Sequence, residues 1–195
     1  MRIATILAAG LFAVTAVYAD GHEGKMSAEE AAMMAALEAS MTPGKEHEWL
    51  ASLVGEFDAE VKTYTAPGAP PEIAQSKVVR TVELDGRVLH EVWTGSVMGM
   101  PFTGIGRLGY DNVTKRYWTT WTDNISTGLF IGYGQWDKSR ERLIFEGEMP
   151  DPMSGQMVPT RSVATYPDEN RETMLMYENS TGTERLTMEF SLTRR

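Results

Sequence analysis

The sequence predicts an all-β protein, an antiparallel up-and-down barrel of about ten strands with one or two short N-terminal helices. Three observations predict it. From Glu56 onward the apolar residues stop recurring at helical spacing and begin to alternate. The alternating stretches are mostly joined by connections of about two to six residues, which suits antiparallel neighbours. Glycines recur inside those stretches, at Gly104, Gly106, Gly128, Gly132 and Gly134, where they permit the sharp coiling that closes a sheet. A meander this long must close or cover its two edges, and closure is the simplest solution. A two-sheet sandwich is the alternative.

The elements follow in order. Ser27 and Glu30 have the spacing of a capping box, and AAMMAALEAS after them is rich in strong helix formers. Met33, Met34, Leu37 and Met41 lie on one side of that helix. Thr42 and Pro43 suit the cap and first position of a second helix, which carries Trp49, Leu50, Leu53 and Val54 and ends at Gly55. Strands are expected over 56–63, 73–84, 87–98, 102–110, 116–123, 127–136, 143–149, 158–166, 173–179 and 185–193. Asp85-Gly86 is a hairpin signal, and 99–101 turns the chain again. Tyr110-Asp111 with Lys115 and Tyr117 is echoed by Trp136-Asp137 with Arg140 and Phe145, then more weakly by Tyr166 and Asp168. In each echo an aromatic residue ends a strand and an Asp bonds the turn backbone.

The first residues have a different character. Met1-Arg2 is followed by an uncharged run from Ile3 to Val17, then Val17-Tyr18-Ala19 and the polar Asp20. That is the layout of a secretory signal peptide cleaved after residue 19. The run would span about 22 Å as a helix, short of a ~30 Å hydrocarbon core. The expected organisation is therefore a signal peptide at 1–19, an extension with an amphipathic helix at 20–41 and a barrel at 42–195. Export into a bacterial periplasm is the expected route, with no membrane span after cleavage. A eukaryotic secretory route would more often bring cysteine pairs.

Composition narrows the chemistry. The chain has no cysteine, which excludes disulfides, thiolate metal sites and a Cys nucleophile. A net charge of −9 disfavours a phosphate backbone, so no nucleic-acid partner is expected. The three histidines, His22, His47 and His90, have no metal-ligand spacing, and no metal is expected. Thirteen methionines invite a thioether copper(I) reading, but nothing places three of them with a His on one short strand. They suit an adaptable core or pocket lining. Neither a G-x-S-x-G elbow nor a phosphate loop occurs.

One strand combines aromatic and polar residues. Tyr117, Thr119, Trp121 and Asp123 share a face, and a buried Asp123 would need a partner. Arg161 and Glu189 are flanked by apolar residues on later strands and are the expected partners. Trp121, Asp123, Arg161, Glu189, Met176 and Met98 are the candidate ligand-binding residues; no catalytic residue is assigned.

Several segments together resemble the domain-of-unknown-function family 1579. They are Thr42-Pro-Gly-Lys-Glu46-His47, Leu53-Val-Gly55-Glu-Phe57, the run from Met98 to Gly106, Gly109 to Lys115, Trp121 to Gly128 and Gly147 to Gly155. Met174-x-Met176-Tyr177 and Thr187-Met-Glu189 fit as well, while Phe57 stands where the family usually has Trp. The resemblance implies a calycin or lipocalin-like barrel and a small apolar ligand, and it implies no established activity. Some barrels of this group hold haem through a histidine on a late strand; no His follows His90 here, so no cofactor is expected. The leading expectation is an exported barrel that binds a small apolar or amphipathic molecule inside. The alternatives are a filled barrel with a structural or partner-binding role, and an enzyme using Asp123, Arg161 and Glu189. N-terminal sequencing of the exported protein should begin at Asp20 or within about two residues of it. Met1 retained on the soluble protein would refute export by cleavage.

Overall fold

The alternating stretches form ten strands in the computed structural model, which describes residues 26–180 and 182–195. They are β1 (Gly55–Thr63), β2 (Glu72–Glu83), β3 (Val88–Val97), β4 (Met100–Asp111), β5 (Arg116–Asp123), β6 (Phe130–Asp137), β7 (Arg142–Pro150), β8 (Met157–Asp168), β9 (Arg171–Glu178) and β10 (Arg185–Arg194). Each pairs antiparallel with its sequence neighbours, and β1 also pairs with β10, so the sheet closes on itself and has no free edge. The expected barrel is present, and the sandwich is not.

Turn chemistry sets the strand ends. Asp111, Asp137 and Asp168 each accept a backbone N–H two residues on, from Val113, Ser139 and Asn170. The echoed motif is thus three repeats of one turn device. Asp123 does the same for Ile125 and Ser126, which delays β6 to Phe130. The β3–β4 connection is tighter than expected. Met98 and Gly99 both have positive φ, at 52° and 78°, and Met100 and Pro101 already belong to β4.

Cross-strand partners share a face, so the ladder shows which side chains point inside. Arg80, Glu91, Gly106, Trp121 and Phe130 are successive partners across β2 to β6 and form one inner row. Val61, Phe190, Met174, Ala164 and Leu143 form another across β1 and β10 to β7.

Helix α1 (Ala28–Met41) and helix α2 (Lys45–Ser52) precede the barrel. The expected capping box starts α1: Ser27 N–H donates to Glu30 at 2.8 Å, and Glu30 N–H to the Ser27 hydroxyl at 3.2 Å. Its expected apolar face is not buried. Met33, Leu37 and Met41 are all exposed, and the compact unit that holds the barrel begins at Ser40. Helix α2 starts two residues later than expected. Gly44, not Thr42, is its N-cap, and His47 Nδ1 accepts the Gly44 N–H at 3.1 Å. The segment 1–19 and His22 lie outside the described residues.

Helix α2 plugs one end of the barrel, the end of the tight turns at 84–87, 112–115, 138–141 and 169–170. Its fully buried Leu50 joins Leu89, Leu108, Tyr117, Leu143, Phe145 and Ala164 in one cluster. Trp49 beside it packs edge-on against Tyr117, Trp136 and Tyr166. A second cluster, Phe57, Ala59, Val78, Trp93 and Leu192, lies deeper in the barrel. Leu50→Ala removes the centre of the plug and should cost about 2–5 kcal/mol in chemical denaturation.

Candidate functional site

The predicted site residues separate into two faces. Trp121 and Asp123 lie on the inner face, as expected, and Trp121 Nε1 donates to Asp123 Oδ2 at 3.0 Å. The other Asp123 oxygen accepts from the 125 and 126 amides, so this carboxylate is satisfied locally, without a cation. Met176 is inward and half-buried, opposite Ser162 and Met188. Met98 is not in the interior. It sits in the β3–β4 turn, 85% exposed.

Arg161 and Glu189 are on the outer face, which corrects the expected inner cluster. Arg161 is opposite Glu146 and Tyr177, makes a two-pronged bond to Glu184 at 2.7 and 2.6 Å, and lies over the Tyr177 ring. Glu189 is opposite Lys62, whose Nζ is 2.9 Å away. The reason is parity. Thr160 and Ser162 are buried inside, and Met188 and Phe190 also point inward, half-buried, so the residue between each pair must face out. Apolar neighbours at ±1 on a strand mark the opposite face. The proposed acid–anchor–base set of Asp123, Arg161 and Glu189 is therefore not assembled.

The barrel does enclose a charged cluster, built from other residues. Arg80 is 5% exposed; its Nε donates to Glu91 at 2.7 Å and its Nη1 to Glu172 at 2.6 Å. The guanidinium lies 4.9 Å from the centre of the Phe57 ring. Burial works against the Arg80 charge, but Glu172 and Glu91 outweigh it and hold Arg80 protonated. Burial likewise raises the Glu172 carboxyl above the usual range, and Arg80 only partly offsets this. Tyr166 beside it is pushed well up by burial and then by Glu172. A cleft of about 580 Å³ beside α2, lined by Trp49, Phe57, Tyr166, Glu172 and Arg194 among others, reaches Arg80 from the surface. Sequence periodicity carried a signal for this cluster. Arg80 follows Ser76 and Val78 at twos, Glu91 stands between Leu89 and Trp93 at twos, and Glu172 precedes Met174 and Met176 at twos.

Away from α2 the inner wall is aromatic and sulfur-rich. Trp93 packs edge-on against Trp121 and Phe190, and Phe102 stacks on Trp121. The Trp121 ring lies along Gly104 and Gly106; a Cβ at Gly104 would collide with it. Phe102, Trp121, Met176, Met188 and Phe190 face inward yet are only half-buried, as does and is Met174, which also packs against the Leu50 cluster. Two buried inward donors, Trp93 Nε1 and Thr160 Oγ1, have no hydrogen-bond partner among the described residues. His90, by contrast, faces outward with Nδ1 against Glu83, which also binds Arg107. No group of three or more His, Asp or Glu suited to a metal ion occurs among the described residues, and no helix there is long and apolar enough to cross a membrane.

Two substitutions separate the inner cluster from the outer pair. Arg80→Ala strands the buried Glu172 and the half-buried Glu91 and should cost about 3–5 kcal/mol. Arg161→Ala breaks a partly exposed pair and should cost about 1 kcal/mol or less. Between its ordinary pKa and the raised folded one, Glu172 binds protons better folded than unfolded. Its contribution to stability is therefore full below the ordinary value and is lost as pH rises through the folded one. Glu172→Gln should accordingly gain stability relative to the parent on going from about pH 4 to about pH 7, read from denaturation midpoints.

Among solved structures, the chain resembles the crystal structure of Rv2717c from M. tuberculosis, with a TM-score of 0.57 and 14% identity over 79% of this chain and 99% of that one. That likeness concerns the fold alone. A redesigned β-barrel also matches, with a TM-score of 0.39 and 10% identity over 75% of this chain and 94% of that one. No curated protein matches. The family model described as a protein of unknown function, DUF1579, matches residues 42–194, the whole barrel with α2. The chain thus belongs to the DUF1579 family.

Proposed function

We propose that the protein binds a small apolar or amphipathic molecule inside the barrel, between the Arg80 cluster and the end opposite α2. One observation carries the reading. Six apolar side chains on the inner face of a closed barrel, Trp121 and Met176 among them, keep solvent-accessible surface. An inward residue stays accessible only where solvent reaches the inside, and ten strands enclose more volume than an eight-stranded barrel does. A wall of Trp, Phe and Met is a suitable lining, because flat rings and flexible thioethers adapt to irregular apolar shapes. The signal pattern at 1–19 supports a place of action in the periplasm or outside the cell.

The test uses N-phenyl-1-naphthylamine, a neutral apolar fluorophore. It should brighten and saturate at one probe per chain. Trp121→Ala removes part of the wall and should weaken binding about tenfold, the equivalent of ~1.4 kcal/mol. Met176→Trp should block the space. Native mass spectrometry of protein taken from its own periplasm should show a retained small mass. No probe binding and no retained mass would instead favour the filled barrel.

A further inference from the structure

A second cleft shares Trp49 with the first and has a volume of about 500 Å³. Its walls come from α2, from the ends of β4 to β6 and from the turns at 112–115 and 138–141. Four aromatic residues, Trp49, Tyr110, Tyr117 and Trp136, share in lining it. They brace one another. Trp49 is 5.5 Å from Tyr117 and 5.4 Å from Trp136, and Tyr110 is 4.9 Å from Tyr117, all in edge-on geometry. Lys45, Lys115 and Lys138 stand around these rings. The chain has only six lysines, and three of them meet here on a protein of net charge −9.

The charges are only partly offset in place. Glu46 is the one carboxylate in the lining; it faces Lys45 at 3.9 Å. Lys115 and Lys138 form no close ion pair among the described residues; the Asp111 carboxylate, which accepts from the Val113 amide and the Thr114 hydroxyl, attracts Lys115 at longer range. Lys115 holds a positive φ of 55° at the end of its turn, so the echoed turn motif delivers it beside Tyr110 and Tyr117. Burial raises both phenols, and Glu46 adds to the effect; Tyr117 is pushed up to about 12. Both hydroxyls therefore remain donors across the working pH range, and neither makes a hydrogen bond among the described residues. The cleft offers cations and N–H or O–H donors around a floor of rings.

We propose that this cleft is a binding site for a planar aromatic anion, such as an aryl carboxylate, with its ring on Trp49 and Trp136 and its charge toward Lys115 and Lys138. The site is separate from the barrel interior. A ring gains edge-on or stacked contact with the aromatic floor, and a carboxylate gains two exposed ammonium groups that are in no close ion pair. A neutral ring loses the second contribution, and a cation is repelled.

The test compares 2-naphthoate with the neutral 2-naphthylmethanol by calorimetry and by quenching of tryptophan fluorescence. Naphthoate should bind at one per chain, and the neutral analogue should bind at least about tenfold more weakly. Lys115→Glu with Lys138→Glu should weaken naphthoate at least about tenfold, since both side chains are exposed and their replacement leaves the core intact. Added salt should weaken naphthoate and leave the alcohol unchanged. Trp121→Ala in the barrel should not alter naphthoate binding. Equal affinity for acid and alcohol, indifference to the lysine changes, or no binding at about 1 mM naphthoate would overturn the proposal. Naphthoate binding lost in Trp121→Ala and kept in the lysine variant would also overturn it, while supporting the interior site.

Discussion

The pairing of β1 with both β2 and β10 is the constraint on which the rest of the molecule depends. It runs from Phe57 opposite Arg194 to Thr63 opposite Met188, and it turns an open meander into an enclosed volume. The seam is held by more than its ladder. Arg80 on β2 reaches Glu172 on β9, across the two strands between them. Phe57 on β1 lies under both Arg80 and Arg194. Arg194 in turn donates to the carbonyls of Ser52 at the end of α2, of Val54 just after it and of Glu169 in the β8–β9 turn. One buried cation and one terminal cation thus tie the first strand, the last strand and the capping helix together.

Closure creates a space that the chain fills unevenly. At the α2 end, Leu50 and the ring cluster around Trp49 close the interior, with a cleft on the surface beside them. In the middle, the Arg80 cluster and the Phe57–Trp93 cluster occupy the centre. At the far end the wall is apolar but incompletely covered. A buried ion pair is a weak stabiliser in net terms, but removing one partner is costly, so the cluster enforces which strands meet more than it deepens stability. Trp49 has a double role, as it lines both clefts beside the plug. The molecule therefore presents two chemically unlike surfaces: an apolar inner wall, and a basic, aromatic rim beside the helix.

Much of the fold was legible in the chain. Strand number, β5 to the residue, the capping box at Ser27 and the three Asp-held turns follow from local rules, because alternation, caps and turns involve residues a few positions apart. The start of α2 was less legible. The Thr42-Pro43 pair is a good opening in isolation, yet the His47 imidazole caps at Gly44 instead. The site was half legible. Trp121 and Asp123 do share the inner face and do bond each other, but the partners sought for Asp123 were chosen by their apolar neighbours, and on a strand those neighbours point the other way.

The sequence by itself determined the kind of each element, the positions of the tight turns and the exclusion of cysteine chemistry, since each depends on composition or on residues close along the chain. Only the tertiary structure decided which face of each strand is inside and which charges meet there. That choice depends on partners far apart in sequence. Arg80 and Glu172 are 92 residues apart, and they face each other only because the sheet has closed around them. A shift of one residue in any strand would have turned the same side chains to the solvent.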